Sequence, residues 1–148
     1  MKALMISADN FEDSELLVPY YRLKEAGVEV AVASLSRRAI VGKHGYNVAV
    51  DKTLDEVDAD DYGILILPGG AAPAVVRKEP KALEIARNFF ARSKPVAAIC
   101  HGPVANELKE AGALYEDREV VADANLVTSR QPADLPAFMR ETMKQLGL

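Results

Sequence analysis

Apolar positions along the chain fall into two rhythms, short continuous runs and longer stretches in which an apolar residue returns every three or four positions. The short runs suit strands buried on both faces. Residues 2–7, 62–67 and 95–99 read this way, and residues 28–34 alternate as a further strand. Residues 14–26 predict a helix with Leu16, Tyr20, Leu23 and Gly27 on one face. Asp13 offers an N-cap side chain there, and Gly27 closes the helix. Pro19 inside it is expected to bend it, since proline lacks the N–H that an interior helical position donates. A second helix spans residues 81–91, with Pro80 in the first helical position. A last one covers residues 133–146, with Leu135, Phe138, Met139 and Met143 facing inward. Two hairpins complete the pattern. One is an arm over residues 39–50, turning at Gly42-Lys43-His44-Gly45; the other joins residues 119–121 to 126–129 through Asp123-Ala124-Asn125.

Strands alternating with helices imply an α/β sandwich of the flavodoxin-like, doubly wound kind, with a mostly parallel sheet and helices on both faces. The length, residues 1–148, suits a single domain with its own core. Such sheets bind ligands beyond the carboxyl ends of their strands. Three polar or glycine-rich segments fall there, residues 9–12, 68–70 and 100–102.

Composition narrows the function. The formal net charge is −4 and the basic residues are scattered, so no basic stripe invites nucleic acid. The long uncharged stretch of residues 63–76 contains Pro68, Gly69, Gly70 and Pro73, which no membrane-spanning helix would tolerate. A single cysteine forbids an internal disulfide and suits a reducing cytoplasm. The N-terminal residues have no signal-peptide pattern, and the expected location is cytoplasmic. Two histidines and one cysteine give no metal-ligand spacing, and there is no dinucleotide or Walker motif, so no metal and no cofactor is expected.

The chemistry centres on Cys100. An apolar strand runs directly into Cys100-His101-Gly102-Pro103, the layout of a nucleophile elbow, in which the reactive side chain stands on a sharp strand-to-helix turn. A thiol at a helix N-terminus ionises more readily, and the thiolate is the nucleophile. The alternative is a buried cysteine acting as a small hydrophobe. Glu12 follows the first strand, where a carboxyl raised in pKa by burial could hold a proton near the sulfur. It could equally be an acidic residue favoured by a helix N-terminus, which is the preferred reading for Asp13. Gly69-Gly70 lets backbone N–H groups approach a ligand, as an oxyanion hole shared with the N–H of His101, or else forms only a tight turn. His44 belongs to the hairpin arm or to an interface.

These motifs, together with Thr128-Ser129-Arg130-Gln131-Pro132-Ala133-Asp134-Leu135, resemble the PfpI intracellular protease family. That family sits in the class I glutamine amidotransferase-like superfamily, with the Parkinson-associated deglycase. The resemblance covers nearly the whole chain. It implies Cys100 as nucleophile, His101 as catalytic histidine, a protonated Glu12 touching the thiol, and an oxyanion hole from the N–H groups of Gly70 and His101, with Gly69 against the substrate. It also implies a homo-oligomer, a dimer or a hexamer made from dimers. The reported activities are peptidase, and glyoxalase or deglycase action on methylglyoxal and its adducts, both opened by thiolate attack on a carbonyl.

Two departures stand out. Protease members carry an acidic residue after Ala72-Pro73 that orients the histidine across a subunit interface; Ala74 stands here. Between Ala105 and Glu107 the family has a further segment, the rest of the elbow helix and a connection bordering the site. Here the chain runs straight on. An intact mass well above 16.0 kDa would reveal a form carrying that segment. The functional expectation is a cysteine hydrolase acting on small carbonyl or peptide substrates, with peptidase and glyoxalase or deglycase chemistry both open. The alternatives are an oxidation-sensing or chaperone-like stress protein using the same thiol, or a flavodoxin-like binding module without catalysis.

Overall fold

The computed structural model describes residues 1–99 and 116–148. A seven-stranded sheet forms the centre, in the order β5-β2-β1-β6-β7-β9-β8. The strands are β1 (Lys2–Ile6), β2 (Glu29–Ser34), β5 (Lys52–Thr53), β6 (Ile64–Leu67), β7 (Val96–Ile99), β8 (Val121–Asp123) and β9 (Leu126–Ser129), and β3 (Ile40–Val41) pairs with β4 (Asn47–Val48) in a separate antiparallel arm. Every pairing in the large sheet is parallel except β8 with β9. The register aligns Val32, Met5, Ile66, Ala97 and Val127 in one row across five strands. All five are buried, as expected for strands covered on both faces.

The helices are α1 (Asp13–Glu25), α2 (Ala72–Val76), α3 (Pro80–Ala91) and α4 (Leu135–Gln145). Right-handed crossovers between parallel strands put α1 and α3 on opposite faces, because β2 lies to one side of β1 while β7 lies to the other side of β6. α4 packs against α1 and β9. Leu16, Leu23, Phe89 and Phe138 are fully buried beneath these helices. Burying each such side chain contributes about 1.5–3 kcal/mol. No helix among the described residues is long and apolar enough to cross a membrane.

The doubly wound sandwich and its mostly parallel sheet are as the sequence implies, but several local expectations need correction. Asp13 does not cap α1: Glu12 stands at the N-cap without a side-chain cap bond, and the Asp13 carboxylate turns away to the hairpin arm. Two backbone donors there outcompete the single bond a cap offers. α1 continues through Pro19 as one assigned helix. β8 begins at Val121 and the second turn tightens to Ala124-Asn125, because Asn125 is tied to β7 through its side chain on the Lys94 carbonyl and its own carbonyl on the Val96 N–H. Neither β5 nor α2 was expected.

Candidate functional site

The sheet reverses its winding between β1 and β6, and the segments leaving these two strands meet there. This is the topological switch point at which sheets of this type bind ligands. Phe11 and Gly70 form an isolated antiparallel bridge, flanked by the Glu12 N–H on the Gly69 carbonyl at 3.0 Å and the Ala71 N–H on the Asn10 carbonyl at 2.9 Å. Gly70 has φ +91°, a conformation that side chains with a Cβ disfavour. A Cβ at Gly70 would lie 2.3 Å from the Glu12 nitrogen, so glycine is required by close backbone approach as well. In this bridge the N–H of Gly70 faces away from Phe11, and among the described residues it has no acceptor.

Gly69 is different. Its N–H donates to Glu15 Oε2 at 2.9 Å, and its carbonyl is taken by Glu12. The backbone of Gly69 is therefore committed to the scaffold, and the open donor belongs to Gly70.

Two carboxyl side chains border this turn. Glu12 is 6% exposed and Glu15 is 0% exposed. Glu12 at the N-cap and Glu15 in the first turn of α1 stand three residues apart, which places them on one side of the helix start. The sequence reading gave Glu15 no role at the site. An acid in the first turn of a helix satisfies the dipole and raises no question. The available signal was its spacing, because Glu15 stands four and eight residues before the buried Pro19 and Leu23, in the apolar stripe.

The hairpin arm closes over Glu12. Lys43 Nζ lies 2.5 Å from Glu12 Oε2, and His44 Nε2 lies 3.4 Å from Glu12 Oε1. The arm is held by Asp13, whose two oxygens accept the N–H groups of His44 and Tyr46, each at 3.0 Å. Gly42 rests directly on that carboxylate, where a Cβ would come within 2.3 Å of an oxygen. Burial raises the Asp13 pKa, but the backbone N–H groups of His44 and Tyr46 outweigh it, and the net value falls below 3.8. A depressed carboxylate contributes stability that is present above the unfolded-state value, about 3.9, and is lost as pH falls through the folded value. Acidification below pH ~4 is therefore expected to release residues 42–46. Amide exchange at His44 and Tyr46, compared with Asp13→Ala, checks it: the variant should exchange fast at every pH.

The third strand end is β7. Ser7, Pro68 and Ile99, at or just beyond the ends of β1, β6 and β7, line one apolar cavity of about 180 Å³. The last register pair, Leu67 with Ala98, is two residues short of Gly69 on one strand and of Cys100 on the other. Cys100 and His101, with the rest of the expected elbow, lie outside the described residues. Among the expected site residues, Glu12, Gly69 and Gly70 come together at the switch point. Ala74 falls within α2, the short helix that follows the turn. No group of three or more potential metal ligands occurs among the described residues.

Fold and site together define a doubly wound α/β protein with a carboxyl-lined, glycine-floored site at the switch point. Comparison with known proteins gives the family: a family model described as the DJ-1/PfpI family matches residues 1–105 and 103–145. The chain belongs to that family. It is 49% identical to the deglycase PfpI of Pyrococcus furiosus, covering 99% of both chains. That match runs over 165 positions, more than the 148 residues present here. It is 38% identical to protein/nucleic acid deglycase 2 of Escherichia coli, covering 99% of this chain and 98% of the relative. Among solved structures, a two-domain protein of Anabaena variabilis with DJ-1/ThiJ/PfpI-like and ferritin-like domains superposes with a TM-score of 0.94 at 31% identity, over 99% of this chain and 48% of that one.

Proposed function

We propose that this protein is a cysteine-dependent enzyme of the deglycase type, acting on carbonyl adducts of small aldehydes. The observation that carries the reading is the convergence at the switch point. An unspent Gly70 N–H and two buried carboxyls border the turn after β6, the strand paired with β7, and in sequence β7 ends one residue before Cys100. The names and identities of the Pyrococcus and Escherichia relatives support it.

In this reading the Cys100 thiolate adds to the carbonyl carbon and forms a C–S bond. The carbonyl electron pair moves to oxygen, and the oxyanion takes a hydrogen bond from the Gly70 N–H, joined by the N–H of His101. His101 and the carboxyl pair exchange the protons that the addition and the release of product require. Gly69 contributes by shape, as the wall against which substrate lies. Ala74 supplies no acid to orient His101, so the arrangement depends less on a Cys-His-acid triad than a peptidase would.

Cys100→Ala is expected to abolish release of free amine from a methylglyoxal-modified amino acid while leaving the circular dichroism spectrum unchanged. A fluorogenic peptide run beside it separates deglycase from peptidase action. Undiminished turnover by the variant would reject the proposal.

A further inference from the structure

The cavity at the strand ends contains a hydroxyl that the scaffold does not use. Its wall is apolar, with Leu67, Val76, Ala82, Ala86 and Ile99 contributed by β6, α2, α3 and β7. Ser7 lines it too. This serine is 1% exposed, and its backbone N–H donates to the Ala33 carbonyl at 3.2 Å. Its Oγ has no hydrogen-bond partner among the described residues. Arg77, also on the wall, is already engaged. Buried hydroxyls are nearly always hydrogen-bonded, because leaving water without gaining a partner is unfavourable. In a purely structural wall, alanine would fill this position better. A hydroxyl here suits a ligand that brings an acceptor.

Volume limits the size of that ligand. The cavity measures about 180 Å³, below the roughly 300 Å³ at which pockets for drug-sized molecules begin. Apolar cavities of roughly 150 Å³ take up a benzene ring. One aromatic ring therefore fits, whereas a methyl group would leave most of the wall without contacts. Register sets the orientation. Met5 pairs with Ile66, and Leu67 with Ala98, so Ser7, Pro68 and Ile99 stand at one level on three adjacent strands. Strand spacing puts Ser7 and Ile99 roughly 10 Å apart. In sequence Ile99 is the residue before Cys100. A ligand in the cavity thus reaches from the unpartnered hydroxyl towards the strand end that leads to the thiol.

We propose that this cavity receives the substituent of the carbonyl substrate, that it selects adducts of aromatic α-oxoaldehydes over those of methylglyoxal, and that the Ser7 hydroxyl donates to the ketone oxygen beside the ring. The inference rests on the reading of Cys100 as nucleophile toward such adducts. The aldehyde carbon is the one that forms the adduct, so the ketone oxygen stays free to accept a hydrogen bond.

The test has a binding arm and a kinetic arm. In full-length protein carrying Cys100→Ala, methyl carbon-13 NMR follows titration with acetophenone and with ethylbenzene, its oxygen-free counterpart. Both should shift the methyl signals of Leu67, Val76 and Ile99. Adding Ser7→Ala should weaken acetophenone about fivefold and leave ethylbenzene within about twofold, with thermal stability unchanged or slightly raised. In protein retaining Cys100, amine release is measured from phenylglyoxal and methylglyoxal adducts of one amino acid. The phenyl adduct should have a kcat/KM at least about tenfold higher, and Ala86→Leu, or Ala82→Leu should the first fail to fold, should reduce that preference about tenfold. Methyl signals that neither probe moves overturn the proposal, as does a Ser7→Ala variant that loses stability while binding acetophenone unchanged. Equal kcat/KM for the two adducts overturns it as well. Because the NMR arm needs no turnover, shifted methyls in a protein that releases no amine count against the deglycase reading, and turnover without shifted methyls counts against the cavity.

Discussion

Gly70→Ala is expected to cost about 3–5 kcal/mol of folding stability and to remove turnover from whatever protein remains folded. Two penalties combine. The residue must hold φ +91°, and the new Cβ would meet the Glu12 nitrogen at 2.3 Å, the Phe11 carbonyl carbon at 2.7 Å and the Asn10 oxygen at 2.8 Å. All three are backbone atoms, which cannot swing aside as a flexible side chain would. Relief requires β1's exit and the turn to part, breaking the two flanking main-chain bonds and displacing the Gly70 N–H. Denaturant unfolding and steady-state kinetics on the same preparation would check it. A variant of native stability would mean that the turn relaxes more cheaply than its packing implies.

Glu15 carries the second large effect. Its carboxyl is fully buried and accepts the Gly69 N–H at 2.9 Å. Glu15→Ala leaves that buried donor without its acceptor and opens a small void, for a combined loss of about 3 kcal/mol. Glu15→Gln keeps an acceptor of nearly the same shape, so stability should fall by less than half as much. If Glu15 shares the proton traffic at the site, Glu15→Gln should still lose roughly a hundredfold in kcat/KM. A purely architectural glutamate would show the reverse pattern, with activity following stability across the two variants. Thermal denaturation paired with kcat/KM for both separates these roles.

The main strands were legible because each is an apolar run ended by a turn former, as with residues 64–67 before Pro68-Gly69-Gly70. The Gly69-Gly70 turn was legible for the same reason, since glycine pairs after buried strands announce close backbone approach. β5 was not, because it is only two residues long and its place depends on Asp51, whose side chain accepts the Val32 N–H from across the sheet. Asp13 was misread for a comparable reason: a local rule made it a cap, while a turn thirty residues downstream offered two donors. Lys43 and Glu15 went unnoticed as site residues because each looks ordinary in its own segment. Only the crossing of arm, helix and turn shows what they touch.

The sheet order has a consequence for how the molecule is made. β7 lies between β6 and β9, and β9 is not synthesised until residue 126. Until then, Val96-Ala97-Ala98-Ile99 presents an uncovered apolar edge on the nascent chain, the kind of template on which strands of other molecules pair. The strand that leads into Cys100 is thus also an edge open to aggregation during translation, and the C-terminal hairpin of β8 and β9 is what seals it.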